Sequence, residues 1–358
     1  MLKIAAAWLL VCASIAIELG CSTTSNRYLY AAIPGGGGGE IVAYREDPNS
    51  GALTQLAGSP IVAGSAVESI VVHPSKKYMY AANSGSNNVS LFTISAGGAL
   101  TEVTPRVNTG TAPTLLAMDS AGSYLFVANS GSNDISVFSI SGSTGVLTQV
   151  GSNVPIGATA LNMKISPSGT VLYLTAAGAP GYIQAFPVNQ GVIGPTPVSG
   201  SPFITGNQPF GLAITPSGGF LYATDKQNQS IWEYTINSNG SLSNLSNSPI
   251  GETYSNPVGL LVDSSGKYLY VANQGSANLA GFTVGSDGSL TLLTSSPFGT
   301  GTQPTLIGTD PNGKYLFVAN QGSSASVQSF SLDGSSGGLT LVSTYTVPGT
   351  PTSIALTP

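Results

Sequence analysis

A motif that returns about every 48 residues, a chain almost free of charge, and a lone strand left over at the C-terminus predict an all-β protein. Together they specify a seven-bladed β-propeller of four-stranded antiparallel blades. Charged residues are 7% of the 358, against roughly 25% in an ordinary soluble domain. Glycine occurs 46 times, and hydrophobic residues make up 41%. Gly, Ser, Thr, Asn and Pro favour turns over helices, so short strands have to bury that apolar content. A net charge of -5 with 10 Lys and Arg leaves no basic footprint for nucleic acid. The apolar fraction argues against disorder, and beyond residue 20 no apolar run is long enough for a transmembrane helix.

Residues 1–20 read as an export signal, with Lys3 as the positive start and residues 4–12 as the apolar stretch. The segment from Glu18 to Cys21 resembles a bacterial lipobox, in which the Cys after a small residue is lipidated and becomes the mature N-terminus. Gly20 and Cys21 fit it, while Glu18 stands where an apolar residue is expected. Residues 21–27 then form a polar tether and 28–358 the propeller. Ordinary cleavage after Ala16 is the competing reading. Both put the mature protein outside the cytoplasm, as an outer-membrane or periplasm-facing lipoprotein or as a secreted protein. Cys12 and Cys21 are the only cysteines, so the body of the chain has neither a disulfide framework nor a Cys-based metal site.

The repeat starts at Tyr28, Tyr78, Tyr124, Val171, Phe220, Tyr268 and Tyr315. Residues 257–297 show one complete unit: PVGLLVD, YLYVAN, LAGFTV and SLTLLT are four strands separated by Gly, Ser, Asn and Asp turns. Two columns are aromatic in every unit. Strand two carries Tyr30, Tyr80, Phe126, Tyr173, Tyr222, Tyr270 and Phe317; strand three carries Tyr44, Phe92, Phe138, Phe186, Tyr234, Phe282 and Phe330. A blade cannot bury its own faces, so these rings are expected to pack blade against blade. The first unit lacks strand one, and residues 351–358 (PTSIALTP) supply an orphan copy of it. The predicted closure pairs the two, which removes the open edge.

The YVAN core, the preceding P-x-G turn and the G-x-L-T entry to strand four are similar to the YVTN repeats of exported bacterial proteins. They also resemble the seven-bladed lactonase family, which includes 6-phosphogluconolactonases, over about residues 27–358. The resemblance implies a His early in one strand one and an Arg in the following loop. The best-matching stretch, 111–138, has Thr114 and Asp134 at those places. Threonine does not titrate near neutral pH, and aspartate inverts the charge that would hold a phosphate or carboxylate.

His73 is the only histidine. Its column continues as Asp119, Ser166, Thr215, Asp263, Asp310 and Thr357, all able to cap the following turn, so His73 reads as a turn cap. The opposite face gathers polar residues around the channel mouth, and the candidate ligand-binding residues there are Glu68, Asp134, Gln208, Asn256 and Gln303. Amides and carboxylates with few cations suit hydroxyl-rich ligands; the plainer reading is that they cap loops and hydrate the rim. The column Asn83, Asn129, Asp225, Asn273 and Asn320 reads as structural. The glycine run at 35–39 lacks the Lys and Ser or Thr of a phosphate loop. No metal motif and no credible Ser-His-Asp set is present, so no cofactor and no catalytic residue is assigned.

The reading that follows is an exported, lipid-anchored monomer that acts as a binding or scaffold module. Its polar loop face would meet an envelope glycan or a protein partner, and it would touch the membrane only through its anchor. The alternative is a lactone hydrolase resembling 6-phosphogluconolactonase, with Glu68 or Asp134 as base. A structural surface-layer component is a third possibility.

Overall fold

A computed structural model describes residues 26–35, 38–176, 178, 180–251 and 253–358; within them all regular secondary structure is strand, arranged as seven antiparallel sheets. The export signal and Cys21 lie outside the described residues. Arg27, read as the end of the tether, already belongs to the first strand. Each sheet is one blade. Blades 2 to 7 span residues 67–108, 113–155, 160–204, 209–251, 257–299 and 304–346. Blade 1 is composite: Arg27–Ile33 and Glu40–Glu46, with their outer pieces, take Ser353–Leu356 as innermost strand.

That pairing is the predicted closure. Leu29 faces Leu356, Tyr30 faces Ala355 and Ala31 faces Ile354. Tyr28 donates its N–H to Thr357 Oγ1 at 3.0 Å, and Thr357 returns its own N–H to the Tyr28 carbonyl at 2.9 Å. The same seam holds a buried cluster that sequence reasoning missed. Arg27 Nη1 lies 2.6 Å from Asp310 Oδ2 of blade 7 and 3.5 Å from Glu46 Oε1 of blade 1.

Both aromatic columns are buried in every blade. Five hydroxyls of the strand-two column cross to the next blade. Tyr30, Tyr80, Tyr173, Tyr222 and Tyr270 donate to the carbonyls of Gly98, Gly145, Gly240, Gly288 and Gly337 at 2.6–2.9 Å. These glycines take positive φ in the turn between strands three and four, and a Cβ on any of them would meet a side chain of the preceding blade. Burial and hydrogen bonding therefore both run from blade to blade.

The outer strand departs from the expected single run. In five blades it is split, as Leu53–Gln55 and Ile61–Val62 are in blade 1; only Leu100–Asn108 and Leu339–Thr346 run unbroken. Four of the splits carry a Ser-Pro step. Proline has no N–H for the ladder, and the serine hydroxyl takes over as acceptor. Ser59, Ser201, Ser248 and Ser296 accept the N–H groups of Ala43, Ala185, Glu233 and Gly281 on strand three. The interruption keeps the blade's edge from presenting a continuous pairing surface.

Candidate functional site: the central channel

Seven innermost strands ring a central cavity of about 630 Å³. Neighbouring strands are stitched together: Ser69 Oγ accepts the Leu116 N–H at 3.2 Å, and Ser353 Oγ the Ile70 N–H at 3.1 Å. Near the start of each strand, one residue per blade forms a ring of Glu68, Thr114, Leu161, Phe210, Val258, Thr305 and Thr352. The ends of strand two add Ser130, Lys226, Gln274 and Gln321 above it. Deeper, the wall turns apolar with Leu116, Met163, Ile307 and Ile354, and Lys164 stands among them.

Of the five residues singled out from the sequence, only Glu68 lines this cavity. Its carboxyl is half-buried, and burial pushes its pKa above the ordinary 4.5, partly offset by the Ser84 hydroxyl; the two groups are 3.4 Å apart. Asp134 instead opens strand three of blade 3. Its Oδ1 accepts Asn129 Nδ2 at 2.6 Å and Asn153 Nδ2 at 3.1 Å, much as Asn88 and Asn278 accept from Asn83 and Asn273 in their own blades. Gln208, Asn256 and Gln303 are exposed outside the wall. Their carbonyls accept the N–H groups of Lys226, Gln274 and Gln321 at 2.9 Å. Asn256 and Gln303 also take the left-handed conformation, with φ of 55° and 56°, which asparagine tolerates well. These three share a repeated turn and do not converge on the cavity.

His73 is locked as a turn cap. Nδ1 accepts the Ser75 N–H at 3.0 Å, and Nε2 lies 2.9 Å from the Gly122 carbonyl of the next blade, which makes Nε2 the protonated nitrogen. In the other blades the equivalent side-chain oxygen accepts the first N–H of strand two, as Asp263 does from Tyr268 at 2.8 Å and Asp310 from Tyr315 at 2.7 Å. The asparagine column is also structural: Asn83 Oδ1 accepts the Gly64 N–H at 3.1 Å. Among the described residues no three His, Cys, Asp or Glu side chains cluster as a metal set.

Sequence reasoning judged the mouth to be poor in cations, and the channel corrects that. Lys226 Nζ donates to Gln274 Oε1 at 3.0 Å and lies 6.0 Å from the centre of the Phe210 ring. Lys164 faces the lumen, where solvent reaches it but protein surrounds it, and the resulting partial desolvation pushes its pKa below the usual lysine value. Both were visible by column. Lys226 replaces the Ser84, Ser130, Gln274 and Gln321 of other units, and Lys164 replaces Val71, Ala117, Ala213, Leu261, Gly308 and Ala355. The wall therefore offers one carboxyl of raised pKa, two amines, and amide and hydroxyl groups above an apolar floor. Polar groups placed above an apolar floor are the kind of lining that can fix the orientation of a small polar ligand.

The sequence matches the family described as Lactonase, 7-bladed beta-propeller over residues 39–163, 192–297 and 255–356. The chain belongs to this family. Similar solved structures include a candidate 6-phosphogluconolactonase from Bacteroides fragilis, 22% identical, covering 94% of this chain and 99% of its own at a TM-score of 0.76. Another is a candidate 6-phosphogluconolactonase from Bacteroides uniformis, 20% identical over 92% of this chain and 99% of its own, with a TM-score of 0.78. A third is the Pseudomonas aeruginosa periplasmic gluconolactonase PpgL, 20% identical over 93% and 99%, with a TM-score of 0.73. At these identities the likeness is one of fold. No protein of curated function matches the sequence. The family's expected His and Arg positions fall here on Thr114, in the Glu68 ring one blade along, and on Asp134, held in its loop cap.

Proposed function

We propose that this lactonase-family propeller binds a sugar lactone in its central channel and hydrolyses it with Glu68 as base. The observation that carries the reading is a carboxyl of raised pKa on the wall of a cavity with ample room for a sugar ring. A base with pKa nearer the working pH combines the ionised form with real proton affinity. In this mechanism Glu68 takes a proton from a water molecule, and the hydroxide adds to the lactone carbonyl carbon. The tetrahedral intermediate then collapses with cleavage of the ring C–O bond, and the leaving alkoxide takes the proton back. Lys226 and Gln274 at the mouth hold ring hydroxyls and the forming carboxylate, and Phe210 offers an apolar face. Family membership and the fold of the gluconolactonase neighbours support this reading.

One observation favours a second reading, in which the channel binds such rings without opening them. Thr114 supplies no titratable group, and Asp134 no cation, at the places the family resemblance singles out. A pH-stat assay on a panel of aldono-lactones separates the two, with ligand binding followed by calorimetry. Hydrolysis that Glu68→Gln lowers by roughly 10²-fold or more, with Asp134→Asn near wild type, supports the hydrolase. Binding without hydrolysis supports the second reading. We also propose that the protein acts outside the cytoplasm, anchored through Cys21. Cys21→Ala should then release it from membranes, and retention of that variant in the membrane fraction contradicts the anchor.

A further inference from the structure

We propose that Lys164 is a carbonyl-reactive amine, which captures small aldehydes entering the channel as an imine on its Nζ. The placement carries the argument. Lys164 lines the cavity, where solvent reaches it through the lumen although protein surrounds it. Among the described residues its Nζ has neither a hydrogen-bond partner nor an acid within 4.0 Å; the salt bridges there lie at Arg27 and Arg106. The flanking innermost strands, Pro113–Met118 and Pro209–Ile214, carry no ionisable side chain. Tyr173, its partner in register on strand two, spends its hydroxyl on the Gly240 carbonyl. Glu68 stands three positions nearer the mouth in the repeat, about 10 Å along the strand direction at the usual rise per residue, and on a different blade. A lysine without a counterion in a narrow protein-walled lumen loses part of the solvation that favours its charged form, and the neutral amine is the nucleophile.

The reaction needs no co-reactant. The Nζ lone pair adds to the aldehyde carbon, and the carbonyl oxygen takes a proton to give a carbinolamine. Loss of the hydroxyl as water and of one nitrogen proton then leaves the C=N bond. The ligand class is a small polar aldehyde able to pass the hydroxyl and amide groups at the mouth, of which an open-chain sugar is the type.

The inference does not rest on lactone hydrolysis, and its test reads a different bond. The intact protein is incubated with glyceraldehyde and cyanoborohydride at neutral pH, and each lysine is followed by peptide mass spectrometry. Lys77, Lys267 and Lys314, exposed at the turns before strand two, are internal controls. Lys164 should be labelled clearly faster than these, and the ratio should shrink as pH rises, because the surface amines then lose their protons as well. Lys164→Met should lose only that adduct while keeping the circular dichroism spectrum and melting temperature of a folded propeller. Labelling of Lys164 at or below the rate of the surface lysines overturns the proposal. An adduct in a protein without lactonase activity leaves it standing and counts against the hydrolase reading alone.

Discussion

Glu68 and Glu46 are both carboxyls whose burial raises the pKa, but they serve different ends. Glu68 opens onto the channel, so its shift should be read in activity. As pH falls, kcat/KM for lactone hydrolysis should drop along an acid limb centred above 4.5, the ordinary value for its carboxyl, and Glu68→Gln should abolish that limb. A limb centred at or below 4.5 contradicts the assignment. Glu46 is sealed in the seam, where burial first and the neighbouring Asp310 second push it to about 7 against the pull of Arg27. In the window from 4.5 to about 7 the folded protein keeps a proton that the unfolded chain has released. That stabilisation is complete below the window and is lost as pH rises through it, on the order of 3 kcal/mol at most. The melting temperature should fall across this range in the wild type and stay flatter in Glu46→Gln. Equal pH slopes in the two proteins would show that Glu46 is not the group responsible.

At the scale of elements, the turn glycines decide how closely blades approach. Gly288 has a φ of 86°, and a Cβ there would fall against the Phe220 ring, whereas Gly58, with a φ of 81°, has open space around it. Gly58→Ala should therefore cost only the left-handed backbone term, about 1 kcal/mol, and Gly288→Ala clearly more, because the ring has to move. Chemical denaturation of the pair checks this; equal losses would mean that the seam gives way easily. Elements were also where the sequence was most legible. Strand order, both aromatic columns and the turn caps follow from the repeat, because each is a pattern of burial or capping repeated around the ring. The split outer strand was missed although LAGSP, VSGSP, LSNSP and LTSSP stand in the sequence. Its cause is a proline with no N–H for the ladder, beside a serine whose hydroxyl accepts a strand-three N–H, which leaves no mark on hydrophobic periodicity.

For the molecule as a whole, the pairing of Ser353–Leu356 with Arg27–Ile33 ties the end of the chain to its first blade and closes the ring. Removal of residues 351–358 should cause a global loss of stability, seen as a large drop in melting temperature; a drop of about a degree or less contradicts the closure. The channel exists only once the ring is closed, which explains why its chemistry was only partly legible. Glu68 stood out as the one acid in its column. Lys164 and Lys226 come from separate units and face one lumen only through the ring's curvature. Gln208, Asn256 and Gln303 drew notice by residue type, yet their repeated turn needs their backbone. The measurement that tests the central claim most directly is a crystal structure with an aldonic acid, the product of lactone opening, bound. The account predicts the acid in the channel, in contact with Glu68 and with Lys226 or Gln274. An acid bound instead on the outer rim, beside Gln208, Asn256 or Gln303 with the channel empty, would contradict it.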